Sequence, residues 1–382
     1  MNIAFLTELF PPSTGGQEQR FAELANLLAT RGHRVTVMCI RHSPGLAAHE
    51  TLSNGVTVIR LPTAGQYYKP FGGAIPRSPL GMIQYALAVR RLSHREFDAV
   101  FLNQWPLLHI AMLPRHYRAC AIIDWCEIRN SAVFLILQQI FPRLVAANTA
   151  VSMQVAQRIR RSSSGPVLIL PSGISVTEYR ASSADCRSGF LYVGRITRHK
   201  DLPLLISTFE ELCSRGHDET LKIAGDGPAF DAVRRRVQSS PVAEKIELLG
   251  LVSDERKCQL LADSRLLMLT SRREGFPRIV AEGIASGLPV VTARYPQNGT
   301  VSIVEEYRCG LCADPTPRDL ANAAQVVLAD WAKWSARASL QASRLDWSSI
   351  VGQFEALLGE ITAAAKNSEP RLETKGAPCE SL

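Results

Sequence analysis

Short apolar runs alternate with helix-like stretches along most of the chain. Residues 2–7 are mostly apolar and predict a buried strand, while residues 17–30 repeat apolar positions at helical spacing until Gly32. Such alternation is typical of a mostly parallel sheet with helices on both faces. The first half is therefore predicted to hold further strands at 34–40, 56–61, 98–103, 119–124, 143–148 and 167–170, and helices at 79–96, 131–141 and 150–161.

A second series of the same kind begins near residue 189. The segment 172–188 between the two series is polar, rich in serine and without periodicity, so we interpret it as an interdomain linker. The pattern predicts two similar α/β domains, at 1–180 and 181–345, that face each other across a cleft. The second sheet is predicted to use strands at 189–193, 221–224, 246–249, 265–269, 289–292 and 310–313.

Three tryptophans, at positions 331, 334 and 347, are unusual on a terminal segment. They predict helices that pack against other parts of the molecule. A helix at 346–364 is expected to return to the first domain. Residues 365–382 are polar, contain two prolines and are expected to be disordered.

The net charge of +8 is carried entirely by the first half. Residues 1–185 hold 18 Lys and Arg against 10 Asp and Glu, whereas the remainder holds 25 of each. An anionic partner such as a membrane surface, a lipid phosphate or a nucleic acid would explain the excess, and so would a solvated basic face. The basic half contains no recognisable nucleic-acid module, which argues against DNA or RNA as the partner.

Cysteine usage and hydropathy bear on the compartment. The nine cysteines are scattered and odd in number, which favours reduced thiols in the cytosol. Cys309 and Cys312 are the one close pair, but no second pair lies at metal spacing, so no metal site is predicted. No apolar run reaches the ~18 residues of a membrane span, and the first residues lack a signal peptide's basic flank. We expect a cytoplasmic protein with peripheral contact at the inner, anionic membrane face.

The segment 271–292 carries the strongest indication of function. It places Glu274 in a Gly-containing loop, Pro277 at the start of a helix over about 278–286, and Glu282 one turn inside that helix. Free N–H groups at a helix start form an anion site, and carboxylates accept hydrogen bonds from sugar hydroxyls. A phosphate-sized pocket between two carboxylates suits a nucleotide sugar. The alternative is a helix-start carboxylate and an incidental one.

Other candidate residues follow predicted strands, where ligands bind in such sheets. In the second domain, Arg195 and Lys200 occupy the first strand–helix turn, where two cations would clamp a diphosphate leaving group, although surface cations are usually only solvated. In the first domain, a tight turn or strand-end capping would also account for the candidates, which are Gly15, Gly16, Trp105, Asp124 and Glu127.

With these residues placed, the chain resembles the family 4 glycosyltransferases. Their GT-B fold consists of two facing Rossmann-like, doubly wound domains with an interdomain cleft. The resemblance extends to about residue 360, and six motifs in the family's order make it specific. The motifs are P-P-S-T-G-G at 11–16, L-P-S-G-I at 170–174, V-G-R-I at 193–196 with Lys200, A-G-D-G-P at 224–228, G-L-V-S-D at 250–254 and the E-x7-E element within 274–291.

The resemblance implies a role for each matched position. Arg195 and Lys200 would neutralise the donor diphosphate and Glu274 would hold the hydroxyls of the transferred sugar, so these three would be the catalytic residues. Members of the family retain the anomeric configuration and use neither metal nor cofactor in catalysis. The implied donor-binding residues are Gly15, Gly16, Val252, Gly275, Phe276, Pro277, Arg278, Ile279 and Glu282, the last of which would accept from the ribose hydroxyls.

The function implied is a retaining glycosyltransferase that moves a sugar from a nucleotide-sugar donor to a saccharide or lipid-linked acceptor, as in cell-surface polysaccharide or glycolipid assembly. One departure lies in the first domain, where many relatives carry histidines in place of residues 103–105 and 124–127. Asp124 or Glu127 is expected to bind an acceptor hydroxyl there instead. The alternatives are an epimerase or phosphorylase with the same donor pocket, an inactive donor-binding protein and a basic nucleic-acid-binding protein.

Overall fold

The computed structural model describes residues 1–13, 15–62, 78–92, 96–128 and 132–368. Two separate sheets form the framework, one in each half of the chain. Below, the part built on the first sheet is called the first lobe and the part built on the second sheet the second lobe.

The first lobe contains an eight-stranded sheet in the order β3-β4-β2-β1-β5-β6-β7-β8. All neighbours pair in parallel except β3, which is antiparallel to β4. Because the inner strands are buried on both faces, they consist of near-continuous apolar runs. The strands are β1 (Asn2–Leu6), β2 (Arg34–Ile40), β3 (His49–Thr51), β4 (Thr57–Leu61), β5 (Ala99–Asn103), β6 (Ala121–Trp125), β7 (Ala147–Ala150) and β8 (Val167–Ile169).

Helices cover both faces of this sheet. One face carries the first helix, and the other carries the next four. Pro79 and the Ser78 hydroxyl, which accepts from the Gly81 N–H at 3.2 Å, fix the start of the second helix. The helices are α1 (Gly16–Thr30), α2 (Pro79–Arg90), α3 (Leu108–Met112), α4 (Ala132–Ile140) and α5 (Met153–Arg160).

The second lobe contains a six-stranded parallel sheet in the order β11-β10-β9-β12-β14-β16, and the two-residue strands β13 and β15 pair beside it. The strands are β9 (Phe190–Val193), β10 (Leu221–Ala224), β11 (Ile246–Gly250), β12 (Leu266–Leu269), β13 (Arg273–Glu274), β14 (Val290–Ala293), β15 (Gln297–Asn298) and β16 (Gly310–Ala313). The helices are α6 (Leu202–Ser214), α7 (Phe230–Gln238), α8 (Asp254–Asp263), α9 (Arg278–Ala285), α10 (Thr300–Tyr307), α11 (Pro317–Ala329) and α12 (Trp331–Gln341).

The last helix, α13 (Trp347–Ser368), lies on the first lobe. Its apolar face joins the core that α1 forms with the first sheet, and the Phe354 ring lies 4.6 Å from that of Phe101, centroid to centroid. Residues 365–368 are helical, so the prediction of disorder from 365 was wrong there. The rest of that predicted tail, 369–382, lies outside the described residues.

Some elements differ from the sequence-based prediction. A strand was expected at 143–148, but a short 3₁₀ helix occupies Phe141–Arg143 and the strand begins at Ala147. Pro142 explains the shift, since proline suits a helix start and cannot donate within a central strand. The predicted helix at 79–96 ends at Arg90, and residues 93–95 lie outside the described part.

Within the described ranges, every helix is too short or too polar to cross a lipid bilayer.

Candidate functional site

A cavity of about 430 Å³ lies between the two lobes. Nine of the residues predicted from the sequence line it, and they come from five separate parts of the chain. These nine are Gly16, Trp105, Glu127, Lys200, Glu274, Gly275, Phe276, Pro277 and Arg278.

Lys200 and Glu274 form an ion pair on the second-lobe side of the cavity. The Lys200 Nζ donates to Glu274 Oε1, and the Ser271 hydroxyl donates to the same oxygen at 3.0 Å. The Thr270 hydroxyl lies 3.0 Å from the backbone oxygens of both Lys200 and Asp201, which fixes the turn that carries the lysine. Both charged side chains are mostly buried, so the pair is held in a defined position before any ligand binds.

Helix α9 points its N-terminal end at the cavity. Pro277 precedes its first residue, and no side chain caps this end. The Val280 N–H donates to the Pro277 carbonyl at 2.9 Å, which leaves the N–H groups of Arg278 and Ile279 to face an anion. The Arg278 guanidinium lies in the same wall and forms a 2.9 Å ion pair with Glu23 of the first lobe. Burial raises the pKa of Glu23, although Arg278 opposes the shift. The helix start and a cation therefore lie together, as an anion site requires.

Glu282 lies below this helix start and is only 3% exposed. Its carboxylate is 3.2 Å from Lys257 Nζ and 3.6 Å from Arg278 Nε. Burial disfavours the charge on Lys257, but Glu282 and Asp254 outweigh it and raise the pKa of that lysine. Burial, and then Glu282, raises the pKa of Tyr179. Glu282 is therefore ionically paired in this structure and does not line the cavity.

Four further predicted residues do not line the cavity. Arg195 is exposed, and the Tyr192 hydroxyl contacts its carbonyl at 3.4 Å. Val252 and Ile279 are half-buried against the core of the second lobe. Gly15 precedes α1 as its N-terminal cap residue. Their predicted contacts with a donor stay predictions.

Two glycine-containing loops, which follow β9 and β10, contact each other before the chain reaches Lys200. A Cβ on Gly225 would come within 2.0 Å of the Gly194 carbonyl oxygen, so the loops after β9 and β10 touch backbone to backbone. The Ile196 N–H donates to the Asp226 carbonyl at 2.9 Å, which joins the loops. The V-G-R-I and A-G-D-G-P motifs thus contact each other, and the first of them precedes the turn that carries Lys200.

Gly275 is at a close backbone contact between the two lobes. A Cβ at this position would lie 1.9 Å from the Cys126 carbonyl oxygen, which belongs to the first lobe. Only glycine permits this approach without moving the backbone of one lobe. The predicted donor loop is therefore also an interlobe contact.

Asp124 does not face the cavity, which corrects the prediction that it binds an acceptor hydroxyl. It is 0% exposed, and its two oxygens accept from Arg20 at 3.0 and 3.1 Å and from Thr149 at 2.6 Å. Burial opposes the charge on Arg20, but Asp124 raises the pKa of the guanidinium above its usual value. The aspartate positions Arg20, which itself lines the cavity.

Glu127 and Trp105 do line the cavity on the first-lobe side. The Gln104 amide oxygen accepts from the backbone N–H groups of Cys126 and Glu127 at 3.0 and 3.1 Å, which fixes the loop after β6. The Glu127 carboxylate lies 3.9 Å from Arg273 Nε of the second lobe. Of the two carboxylates considered for the acceptor side, only Glu127 is open to the cavity.

Sequence reasoning missed five residues that line the cavity. Arg20 had a detectable signal, because it lies one turn before Leu24 on the buried face of α1, where an unpaired charge would be costly. Cys126 and Ser172 lie within stretches named in the sequence analysis, 124–127 and 170–174, but were not singled out there. Gln17 and Val151 gave no signal, since their position depends on contact between the lobes. The five are Gln17, Arg20, Cys126, Val151 and Ser172.

Comparison with known families identifies the class of protein. Residues 15–173 match the family described as "Glycosyl transferase 4-like domain", and residues 183–343 match "Glycosyl transferases group 1". The two matches together span most of the chain, and each falls on one lobe. The chain belongs to this class of glycosyltransferases and has the GT-B fold, which confirms the predicted fold class and the prediction of a glycosyltransferase.

Particular relatives are similar over most of this length. The chain is 22% identical over 334 residues to a subunit of human phosphatidylinositol N-acetylglucosaminyltransferase, covering 84% of this chain and 66% of that protein. It is 23% identical over 365 residues to phosphatidyl-myo-inositol mannosyltransferase of Mycobacterium tuberculosis, covering 89% of this chain and 91% of the relative. The solved structure of Anabaena Alr3699/HepE in complex with UDP superposes with a TM-score of 0.71 at 19% identity, over 94% of this chain and all (100%) of that one.

Proposed function

We propose that this protein transfers a sugar, with retention of anomeric configuration and without a metal, from a nucleoside-diphosphate sugar to a saccharide or lipid-linked acceptor. The observation that carries the proposal is the interlobe cavity, where an ion-paired lysine and glutamate lie beside a helix start and an arginine. Two relatives named for phosphatidylinositol acceptors and a similar fold solved with UDP support the substrate classes.

The second lobe would bind the donor. Lys200, Arg278 and the free N–H groups of α9 would contact the diphosphate, because they surround one space and all favour negative charge. Arg195, in the turn before Lys200, would reach the diphosphate only on donor binding. Glu274 would accept from the hydroxyls of the transferred sugar. Glu282, which is buried and paired with Lys257, would accept from the ribose hydroxyls only if that ion pair opens on donor binding.

The acceptor would enter from the first lobe. Its oxygen forms a bond to the anomeric carbon as the bond from that carbon to the diphosphate oxygen breaks, and the hydroxyl proton passes to the departing diphosphate on the same face. Charge develops on the leaving group, so cations fixed beforehand stabilise this transition state more than the ground state. Lys200 and Arg278 would supply the charge that a metal supplies in other transferases.

A thermal-shift panel of nucleoside diphosphates and their sugars tests donor binding, because a ligand of the folded state raises the melting temperature. At least one should produce a clear shift, and none at millimolar concentration would overturn the proposal. With that donor, NMR should show free nucleotide and a glycoside of retained configuration. Isomerised donor would instead indicate an epimerase, and inhibition by a chelator would exclude the metal-free mechanism.

The protein would work in the cytoplasm at an anionic membrane face, with the first lobe against the lipid. Two helices there expose apolar stripes at matched spacing. These are Leu80, Ile83 and Leu87 on α2, and Val133, Ile136 and Ile140 on α4. Both helices pack against the segment 105–109: the Tyr85 ring of α2 contacts His109, and the Phe134 ring of α4 contacts Trp105. The +8 charge of this half supplies attraction to anionic lipid.

Sedimentation with vesicles containing or lacking an anionic lipid tests this location. The protein should sediment with the anionic vesicles, and Ile83→Glu with Ile136→Glu should abolish this. Leu340→Glu, on the exposed face of α12, is the matched control and should bind normally. Equal binding by both variants would show that lipid does not contact these helices.

A further inference from the structure

A second cavity of about 170 Å³, called the side chamber below, lies next to the interlobe cavity. Glu127 and Glu274 line both spaces, so they form the common wall between them. A molecule in the chamber would therefore lie next to the carboxylate proposed to hold the transferred sugar. The donor diphosphate would bind on the other side of that wall, near Lys200 and Arg278.

Both lobes contribute an arginine to the chamber. Arg158 comes from α5 of the first lobe and is half-buried, while Arg273 comes from β13 of the second lobe, directly before Glu274. Arg273 Nε lies 3.9 Å from the Glu127 carboxylate, which is longer than a hydrogen bond. This contact is loose enough for the arginine to take a second anion. Planar guanidinium groups match carboxylates and phosphates in two-point contacts.

The other polar groups in the chamber suit hydroxyls. Gln154 and Gln297 line it from opposite lobes, and each amide can both donate and accept. The Gln154 side-chain nitrogen donates to the Pro296 carbonyl at 2.5 Å, so this wall is itself an interlobe contact. The chamber thus combines two cations with hydroxyl-binding amides.

We propose that this chamber is an acceptor subsite and that Arg158 and Arg273 select an acceptor with an anionic group, a phosphate or a carboxylate, close to the accepting hydroxyl. The inference rests on the proposed transfer reaction, because it needs a donor in the neighbouring cavity. Of the two carboxylates in the chamber, Glu274 already pairs with Lys200, so a neutral acceptor would leave two arginines with Glu127 alone to balance them. An anion held there directs the acceptor hydroxyl towards the common wall.

Binding is tested on the full chain, saturated with the nucleoside diphosphate that the thermal-shift panel identifies. Calorimetric titration then compares a neutral methyl glucoside with its 6-phosphate and with the methyl glucuronide. The wild type should bind at least one anionic probe on the order of tenfold more tightly than the neutral one, since one charged hydrogen bond accounts for that ratio. Vesicles with phosphatidylinositol or phosphatidylcholine extend the comparison to a lipid-borne phosphate.

Arg158→Gln should reduce binding of the preferred anionic probe by about tenfold and leave the neutral probe and the nucleotide unchanged. Arg158→Lys should recover part of the loss, because it keeps the charge but not the planar fork. Arg161→Gln is the matched control, being exposed just after the same helix. Equal affinity for neutral and anionic probes, or equal effects of the two glutamine variants, would overturn the proposal. A protein that binds no nucleotide at all would instead refute the proposed transfer reaction.

Discussion

Lys200 and Glu274 are 74 positions apart in the sequence and paired in the fold. In such a mostly buried pair, removing one partner leaves the other charge without compensation, so each residue depends on the other. Donor binding would bring a second anion to the lysine, which has three donors to distribute. In the proposed reaction, the pair would orient the lysine for the diphosphate and the glutamate for the sugar.

We expect Lys200→Ala to lower kcat/KM by roughly 30- to 1,000-fold, since one charged contact to a leaving group is worth ~2–4 kcal/mol of barrier. Circular dichroism should show an intact fold. Lys245→Ala removes an exposed ion pair with Asp218 and is the control, with turnover close to that of the wild type. Turnover unchanged in Lys200→Ala would remove this residue from the mechanism.

His109 gives a pH-dependent prediction. It is completely buried beside Tyr85, and burial lowers its pKa to about 3. The unfolded chain, with a histidine pKa near 6.5, therefore takes up this proton first as the pH falls. The contribution of the neutral, buried His109 to the free energy of unfolding is fully present above pH ~6.5 and is lost progressively between pH ~6.5 and pH ~3.

Urea unfolding at pH 7.0 and 5.5 measures this effect. Between pH 7.0 and pH 5.5, the free energy of unfolding of the wild type should fall by on the order of 1 kcal/mol more than that of His109→Gln, because only the wild type has this imidazole to protonate. An identical pH dependence in the two proteins would show that the buried imidazole is not the cause.

Helix α13 follows the second lobe in the chain, but it packs on the first lobe and is stabilised there. Its apolar face completes the first lobe, and Trp347 lies over Gly173, where a Cβ would meet the indole ring at 2.4 Å. The Glu355 carboxylate also accepts from the His33 ring at 2.9 Å. These contacts join the start and the end of the chain.

Phe354→Ala should destabilise the protein by about 3–5 kcal/mol, the usual cost of removing a fully buried aromatic ring. The loss should appear in the unfolding transition of the first lobe. Leu340→Ala, at 76% exposure on α12, should shift stability by less than about 0.5 kcal/mol. Comparable losses in both variants would contradict the packing described.

The sequence predicts elements best where burial is uniform. β2 occupies Arg34–Ile40, as predicted, because a strand buried on both faces is a continuous apolar run. β3 is exposed throughout, and β13 and β15 are two residues each, so no periodicity marks them. The site follows the same rule. Motif residues in tight loops were found, whereas Gln17 and Val151 reach the cavity through tertiary contacts that no local pattern encodes.

At the scale of the molecule, the two lobes meet beside the site itself. Gly275 touches Cys126, and Arg278 pairs with Glu23. Residues proposed to bind the donor are thus among those that join the two lobes. Donor binding and lobe closure would then be coupled, since each favours the same arrangement.

Gly275→Ala should therefore disturb closure without unfolding either lobe. Its new Cβ would meet a backbone carbonyl, which cannot rotate away as a flexible side chain can. We expect the radius of gyration from small-angle scattering to increase and turnover to fall on the order of 100-fold, as for a reacting group displaced by about 1 Å. Gly359→Ala, where a Cβ meets nothing within 4 Å, is the control. Wild-type turnover in Gly275→Ala would show that this contact is dispensable.

The return of α13 also has a consequence for synthesis on the ribosome. The first sheet is complete at Ile169, yet part of its hydrophobic cover extends to Ile361. At about 5–20 residues per second, translation takes roughly 10–40 s to supply that cover. Until then the nascent first lobe presents bare apolar surface, so it should be a client for chaperones, while the second lobe can fold as it emerges.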